Sequence, residues 1–343
     1  MPVNWVRPHP YAEAKRSDTA QKLNMNYKEE VAMSTIRKMS LSNKRIGLFG
    51  KGGCGKSTVA VLLAKALRSA GYDVALLDAD STNVGLSQAL GLAGDPVPLL
   101  DYYGGMVFSG GHVTCPVDDP TPLENAHVSV NELPSIYQSD SPEGIHLFIA
   151  GKMGDKGPGA GCDGPIAKIA RDFKPDFDDE APVTIVDYKA GFEDSARGNV
   201  ISLDWIIVIV DPTSAAIQMA INMRDMVLEL KAGRLPATAH LEHPDLVDLV
   251  NQLYKDAKVK GVLFILNRVR DEESEIYIRS KLAGHGIEFI GAIHYDPSLS
   301  MAWLRGEPVT KTANWDEVER IVEALEEAEE RIGVKAANIP QIG

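Results

Sequence analysis

No run of apolar residues in this chain is long enough to cross a membrane, which takes about 18 or more. The longest clear run, Trp205–Val210, is six residues and is bounded by Asp204 and Asp211. An apolar core near the N-terminus is lacking too: Arg7, Glu13, Lys15 and Arg16 stand where a signal peptide would need one. Cysteine is scarce, with three in 343 residues, an odd number that describes no disulfide framework. Together these absences predict a cytoplasmic protein. Net positive charge is missing as well. At −13 the chain lacks the basic surface of a general nucleic-acid binder or of a protein docked on anionic lipid. Neither nucleic acid nor membrane is therefore an expected partner.

The acidic balance is uneven. Residues 1–45 hold nine basic and four acidic side chains, against 26 and 44 in the remainder. This separates an N-terminal extension over 1–43, with a weakly helical stretch at Tyr27–Met39, from the body at 44–334 and a tail at 335–343. From Arg45 onward, short apolar runs alternate with helical patterns. The runs Ile46–Phe49, Val74–Leu77, His146–Ala150, Val183–Val186, Trp205–Val210, Val262–Leu266 and Ile287–Ala292 read as buried strands. Lys56–Ser69, Ala215–Leu230, Asp245–Lys255 and Glu272–Ala283 read as helices. That alternation predicts an α/β fold, a mostly parallel sheet with helices on both faces. A last helix should start at Asn314, with Glu317 completing a capping box. Its stripe Val318, Ile321, Val322, Leu325, Ala328 and Ile332 should pack on the sheet. Residues 91–161 read as a loop-rich insertion, of the kind that often carries function.

The chemistry is concentrated at Gly50-Lys51-Gly52-Gly53-Cys54-Gly55-Lys56-Ser57, followed by Thr58. This fits G-x-x-x-x-G-K-[ST] directly after a strand and opening a helix, the P-loop context. Glycines let backbone N–H groups turn toward phosphate oxygens, and the helix N-terminus adds partial positive charge. Lys56 is expected on the β- and γ-phosphates of ATP, and Ser57 on Mg²⁺. Cys54 reads as a small filler within the loop.

Lys51 after the first glycine, followed by Gly52-Gly53, resembles the variant loop of a family of dimeric ATPases. That family includes the nitrogenase iron protein, septum-site and partition ATPases, and metallochaperone ATPases of nickel enzymes. The resemblance runs from residue 44 to about 330 and implies a P-loop NTPase fold. It implies that Lys51 reaches the partner's nucleotide in an ATP-bound homodimer. It also implies that Asp78 and Asp80 form the D-x-D after the second strand, with Asp80 positioning the attacking water. Asp187 matches the strand-end aspartate that contacts Mg²⁺ through water. Asn267 matches the asparagine that reads adenine, and Asp296-Pro297 the segment closing over the base. Ser81 departs from the pattern, since relatives usually carry proline there.

Asp187-Tyr188-Lys189-Ala190-Gly191-Phe192-Glu193 resembles the second switch of the ATPase that matures carbon-monoxide dehydrogenase. Gly159-Ala160-Gly161-Cys162-Asp163-Gly164-Pro165 resembles both the cluster-binding loop of the iron protein and the Cys-x-Cys loop of the nickel-insertion ATPase. Cys162 matches the first cysteine of both. The second ligand is absent in both schemes: Gly164 and Asp194 occupy those places. Cys115 or Asp163 would have to make up a metal or iron–sulfur site at the dimer interface, with about one metal per dimer. The other reading of Cys162 is a free thiol on a glycine-rich loop. Three functions follow from the resemblance. The first is a switch ATPase in metallocentre maturation, acting on a client metalloenzyme. The others are an electron-donating reductase like the iron protein, and a positioning or partition ATPase.

Overall fold

The computed structural model describes residues 39–153, 162–178, 181–310 and 312–337. The chain divides into Met1–Ser40 and Leu41–Gly343. Of the first unit only Met39 and Ser40 are described, so the helical stretch expected at 27–39 lies almost wholly outside the described residues. In the second unit the fully buried Leu41 already belongs to the core.

The second unit opens with β1 (Arg45–Gly50), α1 (Lys56–Ser69) and β2 (Val74–Asp78). The one-turn helices α2 (Leu86–Ala89) and α3 (Leu99–Tyr102) follow, then β3 (His127–Ser129), β4 (Ser139–Asp140) and β5 (Ile145–Ile149). Next come α4 (Gly164–Asp172), β6 (Lys174–Asp176), β7 (Val183–Asp187) and the short α5 (Glu193–Ala196). The chain continues through β8 (Trp205–Val210), α6 (Ser214–Lys231), α7 (Pro244–Lys255), β9 (Gly261–Val269) and α8 (Glu272–Ala283). It closes with β10 (Phe289–His294), α9 (Pro297–Arg305) and α10 (Trp315–Ala337). All seven expected strands and the helices between them are present. The loop-rich stretch also holds β3 and β4, and β3 pairs with β6 in a small separate ladder.

The main sheet has eight strands in the order β10-β9-β8-β1-β7-β2-β5-β4, parallel except where β4 meets β5. Its central strands are buried on both faces, so they read as continuous apolar runs rather than alternating ones. On one face Leu63 and Leu67 of α1 and Ile321 and Leu325 of α10 pack over Ile46, Leu48 and Ile185. On the other, Ile169 of α4, Met223 of α6 and Leu282 of α8 pack over Phe49, Phe148 and Val208. The fold class expected from the alternation is the one found.

The start of α10 differs from expectation. Asn314 and Glu317 do not cap each other. Asn314 Nδ2 donates to the His294 carbonyl, and the Glu317 carboxylate takes the His294 backbone N–H at 2.9 Å and its Nδ1 at 2.7 Å. Tertiary partners on β10 win over the local box. Close approach explains the preference: a Cβ on Gly291 of β10 would lie 2.3 Å from Ile321 Cγ1. The expected stripe of α10 is buried, with Ile332 half-buried at its end.

Candidate functional site

The loop joining β1 to α1 crosses the C-terminal edge of the sheet, where ligands of open α/β folds bind. Gly53 and Gly55 sit in the left-handed region, at φ 82° and 93°. Gly55 is also packed too tightly for a side chain, since a Cβ there would lie 2.4 Å from Asn267 Nδ2. Gly50 leaves room for Cys54 Sγ, 2.6 Å from where its own Cβ would be. Cys54 is fully buried, and burial pushes its thiol up to about 11, which fits an inert filler. Gly52, Gly53, Gly55, Lys56, Ser57 and Thr58 line a cavity of about 600 Å³. That volume suits a nucleotide-sized ligand. Lys51 lies outside this cavity, beside a second recess shared with Gly191, Phe192, Met219 and Asn222.

Asp78 and Asp187 end adjacent strands and face each other in register, so both carboxylates reach the loop edge together. Asp187 is fully buried, and burial pushes its carboxyl up to about 6 against the pull of Lys56 and Ser57. Its Oδ1 is buried with no partner among the described residues. Asn83 Nδ2 bridges Ser57 Oγ at 3.0 Å and Asp187 Oδ2 at 3.4 Å. An orphaned carboxylate oxygen close to a hydroxyl at the phosphate loop fits Mg²⁺ bound to nucleotide, so this donor set agrees with the expected ion.

Asp78 has a different partner. Lys152, just beyond β5, donates to Asp78 Oδ2 at 2.6 Å, to the Asp80 carbonyl at 2.9 Å and to the Asn83 carbonyl at 2.7 Å. Burial nonetheless pushes Asp78 up to about 7, with Lys152 pulling the other way. Asp80 is less enclosed and lines the cavity. Its Oδ1 accepts from the Thr82 N–H at 3.0 Å and the Thr82 hydroxyl at 2.7 Å.

Asn267, Arg268, Tyr295, Asp296 and Trp303 also line the cavity. Asn267 spends its amide nitrogen on the Cys54 carbonyl at 2.8 Å, leaving its oxygen as the acceptor available to an amino group. Arg268 holds the left-handed region at φ 59°, unusual for a non-glycine residue, and its guanidinium donates to the Gly53 carbonyl. Asp296 caps α9, accepting from the Ser298 N–H at 2.8 Å, and Pro297 is the first residue of that helix.

The cysteine-bearing segment is tied to this site through Asp163. Its carboxylate accepts from Ser81 Oγ at 2.6 Å and from Lys189 Nζ. Burial would push Asp163 up, but the bonds from Lys189 and Ser81 outweigh it and hold the carboxyl low. Asp163 therefore joins the loop after β2 to the loop after β7, immediately before α4. The expectation of Asp163 as a further metal ligand meets a carboxylate already accepting from two donors. Cys162 Sγ accepts from the Gly164 N–H at 3.3 Å, and Cys115 packs against Gly164. Residues 159–161 of the expected loop lie outside the described residues. Asp194 is buried, accepting from the Lys189 N–H at 3.2 Å and pairing with Arg197.

Sequence reasoning missed Lys152, Asn83, Arg268 and the Ser81–Asp163–Lys189 link. Ser81 carried a signal, because a departure from proline frees a hydroxyl. Lys152 and Asn83 carried none, being single polar residues outside any motif.

A family model described as the CobQ/CobB/MinD/ParA nucleotide binding domain matches residues 48–309. An uncharacterized ATP-binding protein of Methanocaldococcus jannaschii is 28% identical over 82% of this chain and 99% of its own length. The carbon monoxide dehydrogenase accessory protein CooC of Rhodospirillum rubrum is 26% identical over 54% of this chain and 70% of its own. Among solved structures, the cell division ATPase MinD of Pyrococcus furiosus superposes with a TM-score of 0.52 at 16% identity. That match covers 83% of this chain and 99% of MinD, and at such identity it speaks to architecture alone. With a match running from within β1 to just short of α10, the chain belongs to the CobQ/CobB/MinD/ParA nucleotide-binding domain family.

Proposed function

We propose that this protein is an ATP-hydrolysing dimeric switch that assists metallocentre maturation in a client enzyme. The observation that carries the reading is the Asp163 link. One carboxylate, held by Ser81 and Lys189, couples both nucleotide-facing loops to the segment that carries Cys162, just before α4. A change in either loop on ATP binding or hydrolysis is thereby felt at the thiol. The similarity to the carbon monoxide dehydrogenase accessory protein supports the same direction.

In this reading Lys56 is the fixed cation on the transferring phosphoryl group, and Asp80 orients the attacking water. Asn267 accepts from the adenine amino group, with Asp296 and Pro297 closing the base pocket. Ser57, and Asp187 through water, would hold Mg²⁺, which when bound neutralises charge developing on the phosphate oxygens. Phosphoryl transfer needs positioning and electrostatics more than covalent chemistry, and these groups supply both. Lys51 crosses to the partner's nucleotide and makes the closed dimer depend on ATP.

The electron-donating alternative needs four thiolates per cluster, and Asp194, at the place of the second ligand, serves a buried ion pair instead. The positioning alternative would use a basic amphipathic tail, whereas α10 lays its apolar stripe on the sheet.

Deletion of the gene from its host tests the reading. At least one metalloenzyme should accumulate as polypeptide with its metal content reduced, restored by the wild-type gene and not by Lys56→Ala. Unchanged metal content across the host's metalloenzymes, or full rescue by Lys56→Ala, would sink it.

A further inference from the structure

Gly164, the first residue of α4, is where the two half-buried thiols of the chain meet. Its N–H donates to Cys162 Sγ at 3.3 Å. A Cβ built on it would lie 2.6 Å from Cys115 Sγ and 3.0 Å from Cys115 Cα. Its backbone is not in the left-handed region, so conformational freedom does not explain the glycine. Space does: the volume a side chain would fill holds the Cys115 sulfur. Cys115 thus stands where a second cysteine two residues after Cys162 would project.

Both thiols ride on one rigid element. The carbonyl of Cys115 accepts from the N–H groups of Asp118 at 3.2 Å and Asp119 at 2.9 Å, closing a tight turn. Asp119 in turn accepts from Thr114 Oγ1 at 2.8 Å and pairs with Lys168 of α4 at 3.1 Å. Lys168 is almost wholly buried, so the turn carrying Cys115 is bolted to the helix whose N-terminus holds Cys162.

We propose that Cys115 and Cys162 of a single chain form a two-thiolate site for a soft, thiophilic cation, loaded without a second copy of the protein. Thiolate pairs select soft ions over hard, oxygen-seeking ones. Loading exchanges one proton from each thiol for two sulfur–metal bonds, with both protons released to solvent and no change of oxidation state. Among the described residues no group of three or more His, Cys, Asp or Glu gathers around an ion, and Asp163 is committed to Ser81 and Lys189. The protein thus provides two ligands and leaves the other positions open, as suits a cation that is to be handed on. Its use as cargo rests on the maturation reading; its occupancy does not.

The test is titration of the reduced, metal-stripped, nucleotide-free full chain with cadmium(II), followed by native mass spectrometry and thiolate-to-cadmium charge-transfer absorption. One cadmium per chain on the monomer is expected, with affinity reduced about tenfold or more in Cys115→Ser and in Cys162→Ser. Gly164→Ala should lose affinity similarly while both thiols still react with an alkylating reagent, because the added Cβ displaces the Cys115 sulfur. One cadmium per two chains, wild-type affinity in Cys115→Ser, or no effect of Gly164→Ala overturns the proposal. A site that loads as expected in a protein whose deletion leaves every metalloenzyme replete removes the maturation role and keeps the site.

Discussion

Lys152 shows how much a single side chain can organise. Three acceptors converge on its ammonium: a buried carboxylate and two carbonyls of the loop that lines the nucleotide cavity. Replacing it by methionine strands Asp78 without its counter-charge, and breaking a largely buried pair from one side should cost roughly 2–4 kcal/mol. The sign with pH follows from Asp78. Its folded value of about 7 lies above the ordinary aspartate value of 3.8, so ionising it inside the fold is unfavourable and the penalty grows as pH rises between the two. Lys152 relieves that penalty only where Asp78 is charged. The deficit of Lys152→Met should therefore be larger at about pH 8 than at about pH 5 by urea unfolding, and Asp78→Asn should recover much of it. An equal deficit at both pH values would remove the ion pair as its cause. The carboxylates were legible in the sequence because they end apolar strands in the order the phosphate loop demands. The lysine was not, since nothing in Gly151-Lys152-Met153 marks it until the fold brings β5 beside β2.

At the scale of elements, α4 is the part least visible beforehand. Gly164-Pro165 reads as a turn, whereas proline is equally at home in the first turn of a helix. Lys168 and Arg171 of this helix are both buried and bonded to the turn at 114–121. The sheet was readable because buried parallel strands announce themselves as apolar runs. The capping box at Asn314 failed because His294 offered both residues better partners. The relay role proposed for the Asp163 link ahead of α4 yields a prediction. Ser81→Ala removes one of the two donors to Asp163, a bond to a carboxylate of about 1.5–3 kcal/mol. In the wild type, the alkylation rate of Cys162 should differ between ADP and a non-hydrolysable ATP analogue. In Ser81→Ala that ratio should shrink by about tenfold while ATP turnover stays within about threefold of wild type. An unchanged ratio would show that the link carries no signal.

For the whole molecule, the proposed switch requires that assembly depend on nucleotide. Taking a dimer from about 1% to about 99% closed requires ATP to favour the closed form by about 10⁴-fold. That preference must come from a contact made only when ATP is present. Lys51 is placed for it: it follows the first loop glycine and lies outside the nucleotide cavity of its own chain, beside the second recess. The recess beside it is walled by Gly191 and Phe192 of the loop after β7, so a partner docking there would press on the segment that holds Asp163 through Lys189. Lys51→Ala removes the cation and leaves the phosphate loop's glycines, Lys56 and Ser57 in place. The variant should bind a non-hydrolysable ATP analogue within about threefold of wild-type affinity, yet sediment as a monomer where the wild type sediments as a dimer. If Lys51→Ala still dimerises with the analogue, the trigger lies elsewhere on that face. If it fails to bind the analogue at all, Lys51 serves its own nucleotide and not the partner's.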